Sequence, residues 1–115
     1  MTADQARRRA LEERYILDFQ MLFKTRTRRD LLFATWAATK LGRQDPADYL
    51  EEVRSAGRAA PGDDDILQKV LADFRSVGQE ITEEDLRSVM NEMMFDAAEE
   101  LEADRISRQP RQSKS

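Results

Sequence analysis

Cysteine and histidine are both absent from the 115 residues, which removes thiol nucleophiles, disulfides, thiolate or imidazole metal sites and imidazole acid–base chemistry together. Most routes to catalysis close with them, and we expect no catalytic residue, no metal and no resident cofactor. Glycine and proline are scarce, at four and three residues, and the remainder leans toward Ala, Leu, Glu and Arg, a composition that favours helix. No apolar run approaches the roughly 20 residues of a membrane span, and Arg7, Arg8 and Arg9 are followed by no signal-peptide stretch. Direct membrane insertion is therefore not expected, and the cytoplasm is the expected compartment. No glycine-rich phosphate loop or calcium-loop spacing occurs either.

What is present is charge, at 37% of residues, with a net value of −4. It is unevenly placed. Residues 1–29 carry eight Arg or Lys against four acids, +4, and residues 30–115 carry eleven against nineteen, −8. Either the two parts attract each other or the basic head meets an acidic partner.

One domain's worth of chain is expected, all-α, as a four-helix bundle with a mobile or helical N-terminal arm and a disordered C-terminal tail. From Asp4 to Leu41 there is neither Gly nor Pro, and Gly42 with Lys40 before it is a helix stop. Leu11, Tyr15, Phe19 and Leu22 share one stripe, which projects onward to Phe33, Trp36 and Ala37. Thr25, Arg26 and Arg29 interrupt it, so we read an arm over 1–19 and a bundle over 20–104 whose first helix spans 21–41. Asp45 caps and Pro46 opens a helix over 46–56 with Tyr49, Leu50, Val53 and Ala56 inward. After a loop over 57–62, Asp63, Asp64 and Asp65 start a helix over 64–77, with Ile66, Val70, Phe74 and Val77 on one face. Thr82 caps the last helix, 83–104, with Ile81 placed to staple onto Leu86. Its stripe is Leu86, Met90, Met93, Ala97 and Leu101. Residues 105–115 are polar, contain Pro110 and are expected to be disordered.

Lys24, Arg26, Arg28 and Arg29 form the densest basic run. They encircle the helix instead of forming a stripe that could track phosphates, so no nucleic-acid partner is expected. The plainer reading is a solvated turn whose arginines pair with acids; contact with an anion or nucleotide is the functional one. Arg26 and Arg29 lie on the apolar line, where their stems are expected to cover neighbours while their heads reach water or the acidic last helix. Trp36 reads as core, and Met90, Met93 and Met94 as core in preference to an adaptable groove. The arm can be an extra turn packed on the bundle or a helix that docks in a partner's groove.

The run from Arg7 to Asp18, with Phe23-Lys24, Arg28-Arg29, Trp36-Ala37-Ala38, Lys40-Leu41-Gly42, Asp65-Ile66-Leu67, Lys69-Val70, Ala72-Asp73-Phe74, Gly78 and the Met-Asn-Glu-Met of 90–93, resembles the zeta subunit family of bacterial ATP synthase inhibitors. The resemblance covers roughly residues 7–104. It implies a protein inhibitor of the hydrolytic activity of the F-type ATP synthase, not an enzyme, located on the cytoplasmic side of the membrane-bound complex. The arm would enter the catalytic head and obstruct rotation. The residues it implies for partner binding are Ala10, Glu12, Arg14, Tyr15, Leu17 and Asp18. Arg8 and Phe19 stand where that family usually has acids, and Ala34 where a glycine-like residue is usual. The alternative function is a small helical sensor that binds ATP or ADP weakly through the basic run and the Trp36 region.

Overall fold

A helix with nothing in its sequence to stop it runs until something does. Helix α1 extends over Ala3–Leu41, 39 residues, without a break. Thr2 opens it with a capping box: its hydroxyl accepts the Gln5 N–H at 3.1 Å, and the Gln5 side-chain oxygen accepts the Thr2 N–H at 3.0 Å. Gly42 closes it in the left-handed region at φ 76°, and the Arg43 N–H turns back to the Ala38 carbonyl at 2.9 Å. The computed structural model describes residues 2–59 and 62–108, the side chains of 14–17 and 108 excepted.

Three further helices follow, α2 (Pro46–Gly57), α3 (Asp64–Ser76) and α4 (Glu83–Arg108). The all-α expectation holds, with four helices and no strand among the described residues. Helix α1 packs mainly on α4 and α2, while α3 lies against α2 and α4 and closes the core. The core is Phe33, Ala34, Ala37 and Ala38 of α1, Tyr49 and Val53 of α2, five residues of α3 from Ile66 to Phe74, and Leu86, Met90 and Ala97 of α4. Trp36 sits at its edge, half-buried, stacked on Phe33 at 5.9 Å and tilted against Phe74 at 5.7 Å. Among the described residues every buried one lies at or beyond Thr25. The bundle therefore begins there, although the helix begins at Ala3.

Several boundaries differ from those expected. At the expected junction between arm and first core helix the backbone stays helical, the second of the two forms expected for the arm, because an interrupted apolar stripe removes packing and not hydrogen bonds. Helix α2 includes Gly57, where a Cβ would stand 2.9 Å from Ile66 Cγ1; the glycine lets α2 and α3 approach closely. Helix α3 stops at Ser76, leaving Val77 as its cap and 53% exposed instead of on the apolar face. Helix α4 runs to Arg108, four residues past its expected end. Arg105 bonds back to Glu102, and no helix-stopping residue precedes Pro110. The expected disordered tail from 109 onward and the loop residues Ala60 and Pro61 lie outside the described residues.

The expected caps behave unequally. Thr82 accepts the Asp85 N–H at 3.0 Å while Asp85 accepts the Thr82 N–H at 3.2 Å, and Ile81 packs against the core that includes Leu86. Asp45 and Asp63 occupy cap positions but make no capping bond. Each has been taken by an arginine: Asp45 by Arg43 and Asp63 by Arg29. Arg43 also reaches Glu52, Lys69 joins Glu52 to Asp73, and Asp73 accepts the Tyr49 hydroxyl at 2.8 Å. This network clasps the loop after α1 to α2 and α3 around a fully buried Tyr49 ring, over which Arg43 lies at 4.8 Å. Arg43, and for Glu52 also Lys69, holds the Asp45 and Glu52 carboxyls below their ordinary pKa. Burial, then Asp73, pushes the Tyr49 hydroxyl up.

Candidate functional site

On α1 the stripe that faces the core at Arg29, Phe33 and Ala37 continues outward through Phe19, Leu22 and Leu11. At its described positions there it is uncovered: Leu11 is 60% exposed, Phe19 63% and Phe23 69%. Burying a side chain of this kind is worth roughly 1.5–3 kcal/mol, so the stripe is exposed apolar surface whose burial energy the fold leaves unused. Ala10, Glu12 and Asp18 are exposed on this segment. The side chains of Arg14, Tyr15 and Leu17 lie outside the described residues.

Where the helix leaves the bundle, two adjacent arginines hold it from opposite flanks. Arg28 donates to Glu100 at 2.8 Å and Asp104 at 3.0 Å, tying α1 to the far end of α4. Arg29, 5% exposed, donates to Asp63 at 3.1 and 2.9 Å and to Asp30 at 3.1 and 2.8 Å, tying α1 to the start of α3. Burial works against the Arg29 charge, but the bonds to Asp63 and Asp30 outweigh it and raise its pKa. Bonds to Glu100 and then Asp104 raise that of Arg28. Beside them the Thr25 hydroxyl donates to the Met21 carbonyl at 2.6 Å, so the buried polar members of the stripe are satisfied within the chain.

This corrects one expectation in detail. The head of Arg29 goes to Asp30 on its own helix and to Asp63 at the start of α3, and not to water or the last helix; it is Arg28 that reaches the last helix. Of the four basic residues named for anion contact, Arg28 and Arg29 are held by these carboxylates. Lys24 and Arg26 are exposed and make no ion pair among the described residues.

Arg26 nevertheless lines a cleft of about 420 Å³ between α1 and α2, together with Phe23, Thr27, Arg54 and Arg58. Arg54 and Arg58 went unnoticed in the sequence reading. Arg54 in the last turn of α2 and Arg58 at its C-cap stand four residues apart, which was the available signal, but only the tertiary fold sets them opposite Arg26. Four arginines against Asp30 and Asp63 leave the cleft net positive by two. The Arg58 head is partly engaged with Glu51 at 3.2 Å.

Among the described residues no group of His, Cys, Asp or Glu could hold a metal ion, and no helix is long and apolar enough to cross a membrane. Residues 1–100 match the family model described as ATPase inhibitor subunit zeta. No curated protein matches the chain.

Proposed function

Since the chain belongs to the ATPase inhibitor subunit zeta family, we propose that it inhibits the hydrolytic activity of the F-type ATP synthase by seating the N-terminal part of α1 in the catalytic head and blocking rotation. The observation that carries this reading is the exposed stripe of Leu11, Phe19, Leu22 and Phe23, in phase with the buried face of the same helix. Such a helix-in-groove element gains affinity from its anchors and loses little in ordering. Ala10, Glu12, Arg14, Tyr15, Leu17 and Asp18 are the residues proposed to meet the partner. Inhibition is steric, with no chemistry contributed by this chain, and it acts on the cytoplasmic side of the complex. The bundle is the stop: Arg28 and Arg29 fix the arm's base, so a load on the arm is borne by α3 and α4.

The test is ATP hydrolysis by the cognate ATP synthase head, titrated with the full chain and with a 20–115 truncation. The buried residues among those described all lie at or beyond Thr25, so the truncation keeps that core, which circular dichroism checks. We expect inhibition by the full chain alone. Equal inhibition by the folded truncation refutes the arm as the working part.

The cleft with Arg26, Arg54 and Arg58 favours a second role, weak binding of ATP or ADP, phosphates on the guanidinium groups and the base against Phe23. Amide chemical shifts of Thr27, Arg54 and Arg58 should move on addition of nucleotide. Spectra unchanged at millimolar ATP exclude this role.

A further inference from the structure

The opposite flank of α1 carries a different surface. A groove of about 740 Å³ runs between α1 and α4, with Leu31, Leu32, Trp36 and Met93 on its floor and Asp96 and Glu99 on its α4 rim. Leu31 is 39% exposed, although it sits on the same turn of helix as buried Phe33 and Ala34. Six other acids beside apolar surface on this bundle meet an arginine or lysine, Asp63 and Asp30 on Arg29, Glu52 and Asp73 on Lys69, and Glu100 and Asp104 on Arg28, whereas Asp65 keeps one buried oxygen without a partner. Among the described residues Asp96 and Glu99 make no ion pair, and the facing α1 positions, Leu31, Leu32 and Thr35, supply no cation. One turn from Glu99 stands Phe95, 73% exposed. From Glu92 to Asp104, α4 carries six acids and no Arg or Lys.

The geometry points to a second docking surface, in which this groove receives a basic amphipathic helix of a partner protein. The floor between two antiparallel helices is long enough for about three turns, since Met93 to Ala103 spans roughly 15 Å at 1.5 Å per residue. The occupant lays Leu or Ile side chains on Trp36, Leu31 and Met93 and places Lys or Arg against Asp96 and Glu99. Charge is what selects a basic occupant: an acidic or neutral helix leaves both carboxylates unpaired beside newly dried surface. The chain's own arm is a poor match, because residues 1–19 hold four arginines against four acids. The surface is separate from the arm stripe and does not depend on how the arm is used.

Trp36 is the single tryptophan and lines the groove, so it reports occupancy directly. The experiment titrates the full chain with a fourteen-residue model helix of Leu and Lys at helical spacing, and with its Glu-for-Lys analogue, following Trp36 emission at low and high salt. We expect saturable binding of the Lys peptide with a shift in emission and none of the Glu peptide. Asp96→Lys with Glu99→Lys should weaken it at least tenfold, and so should Leu31→Ala with Met93→Ala. Glu80→Lys with Glu84→Lys, the same charge change in the α3–α4 loop and the first turn of α4, should change it less than twofold. Equal weakening by that control pair, or binding without a change in Trp36 emission, would mean attraction by net charge and overturn the proposal. Tighter binding by the 20–115 truncation would identify the chain's own arm as the occupant and overturn the assignment to a second protein.

Discussion

Arg28 and Arg29 are neighbours in sequence, each bonded to two carboxylates, yet they should differ sharply in what they contribute to stability. Arg29 is 6% exposed in its side chain, with Asp30 at 19% and Asp63 at 39%; Arg28 is 28% exposed, with Glu100 and Asp104 at 44% and 41%. Removing one partner of a fully buried pair costs about 3–5 kcal/mol, because the other charge is stranded away from water. The two aspartates keep partial access to solvent, which recovers part of that penalty, so Arg29→Ala should cost about 2–3 kcal/mol, including the packing of its stem. At a slope near 1.5 kcal/mol per molar, the urea midpoint then falls by roughly 1.3–2 M. A domain of this size with 5–15 kcal/mol of stability, to order of magnitude, still folds. Arg28→Ala should shift the midpoint far less, since water and salt already screen its pairs. A double-mutant cycle of Arg29→Ala with Asp63→Ala isolates the pair and should return a coupling of at least about 1 kcal/mol. A midpoint shift from Arg28→Ala as large as that from Arg29→Ala, or a cycle that closes to zero, refutes the argument from burial.

Other consequences are checked by the same urea or thermal melts. Phe33→Ala, at a fully buried position, should cost about 3–5 kcal/mol, whereas Phe19→Ala, 63% exposed, should leave stability unchanged and reduce inhibition of ATP hydrolysis. Gly42→Ala forces a side chain into the left-handed region at φ 76° and should cost about 1 kcal/mol, read as a lower melting temperature. Asp45 and Glu52 have folded pKa values below their ordinary 3.8 and 4.5. Their contribution is therefore complete above those values and is lost as pH falls below about 4.5 through the lowered folded values; Arg43→Met should flatten this acid limb of a stability–pH profile.

The helices were readable because their punctuation is local. Gly42, Pro46 and Thr82 act within a turn of where they stand, and the inward faces of α2 and α4 follow from spacing alone. What was not readable is where polar groups spend their bonds, since that depends on residues far apart in sequence. Asp45 and Asp63 are ordinary cap residues by type, yet arginines two and thirty-four positions away claim them. Which of two adjacent arginines turns inward was legible, but not what would hold it there. Arg29 lies on the core line and Arg28 does not, but the partner of Arg29 had to come from a loop whose position only the closed bundle defines. Val77 shows the converse error: periodicity placed it inward, but the helix ends before it and its turn faces solvent. For the candidate site, the arm's apolar stripe was legible as a pattern. Its exposure was not, because nothing local says where the covering helices stop.

That α1 is one helix, and not an arm joined to a bundle by a linker, changes the energetics of anything the arm does. A free peptide must nucleate its first helical turn at a cost of about 4 kcal/mol for a nucleation constant near 10⁻³. Here the bundle supplies the nucleus: the turns around Thr25 and Arg29 are fixed by α3 and α4, and the arm only propagates outward, through Ala, Arg, Glu and Leu with no Gly or Pro, to the capping box at Thr2. Propagation is close to balanced per residue, so the arm is held near its helical form without being buried. A partner that accepts it as a helix gains the apolar stripe while being spared most of the ordering entropy that a free peptide of the same sequence would lose. The same continuity explains why polar residues interrupt the stripe at the base: Leu in place of Arg29 would extend the core line but leave Asp63 and Asp30 without their shared cation, and the helix would lose the clamp that sets its direction.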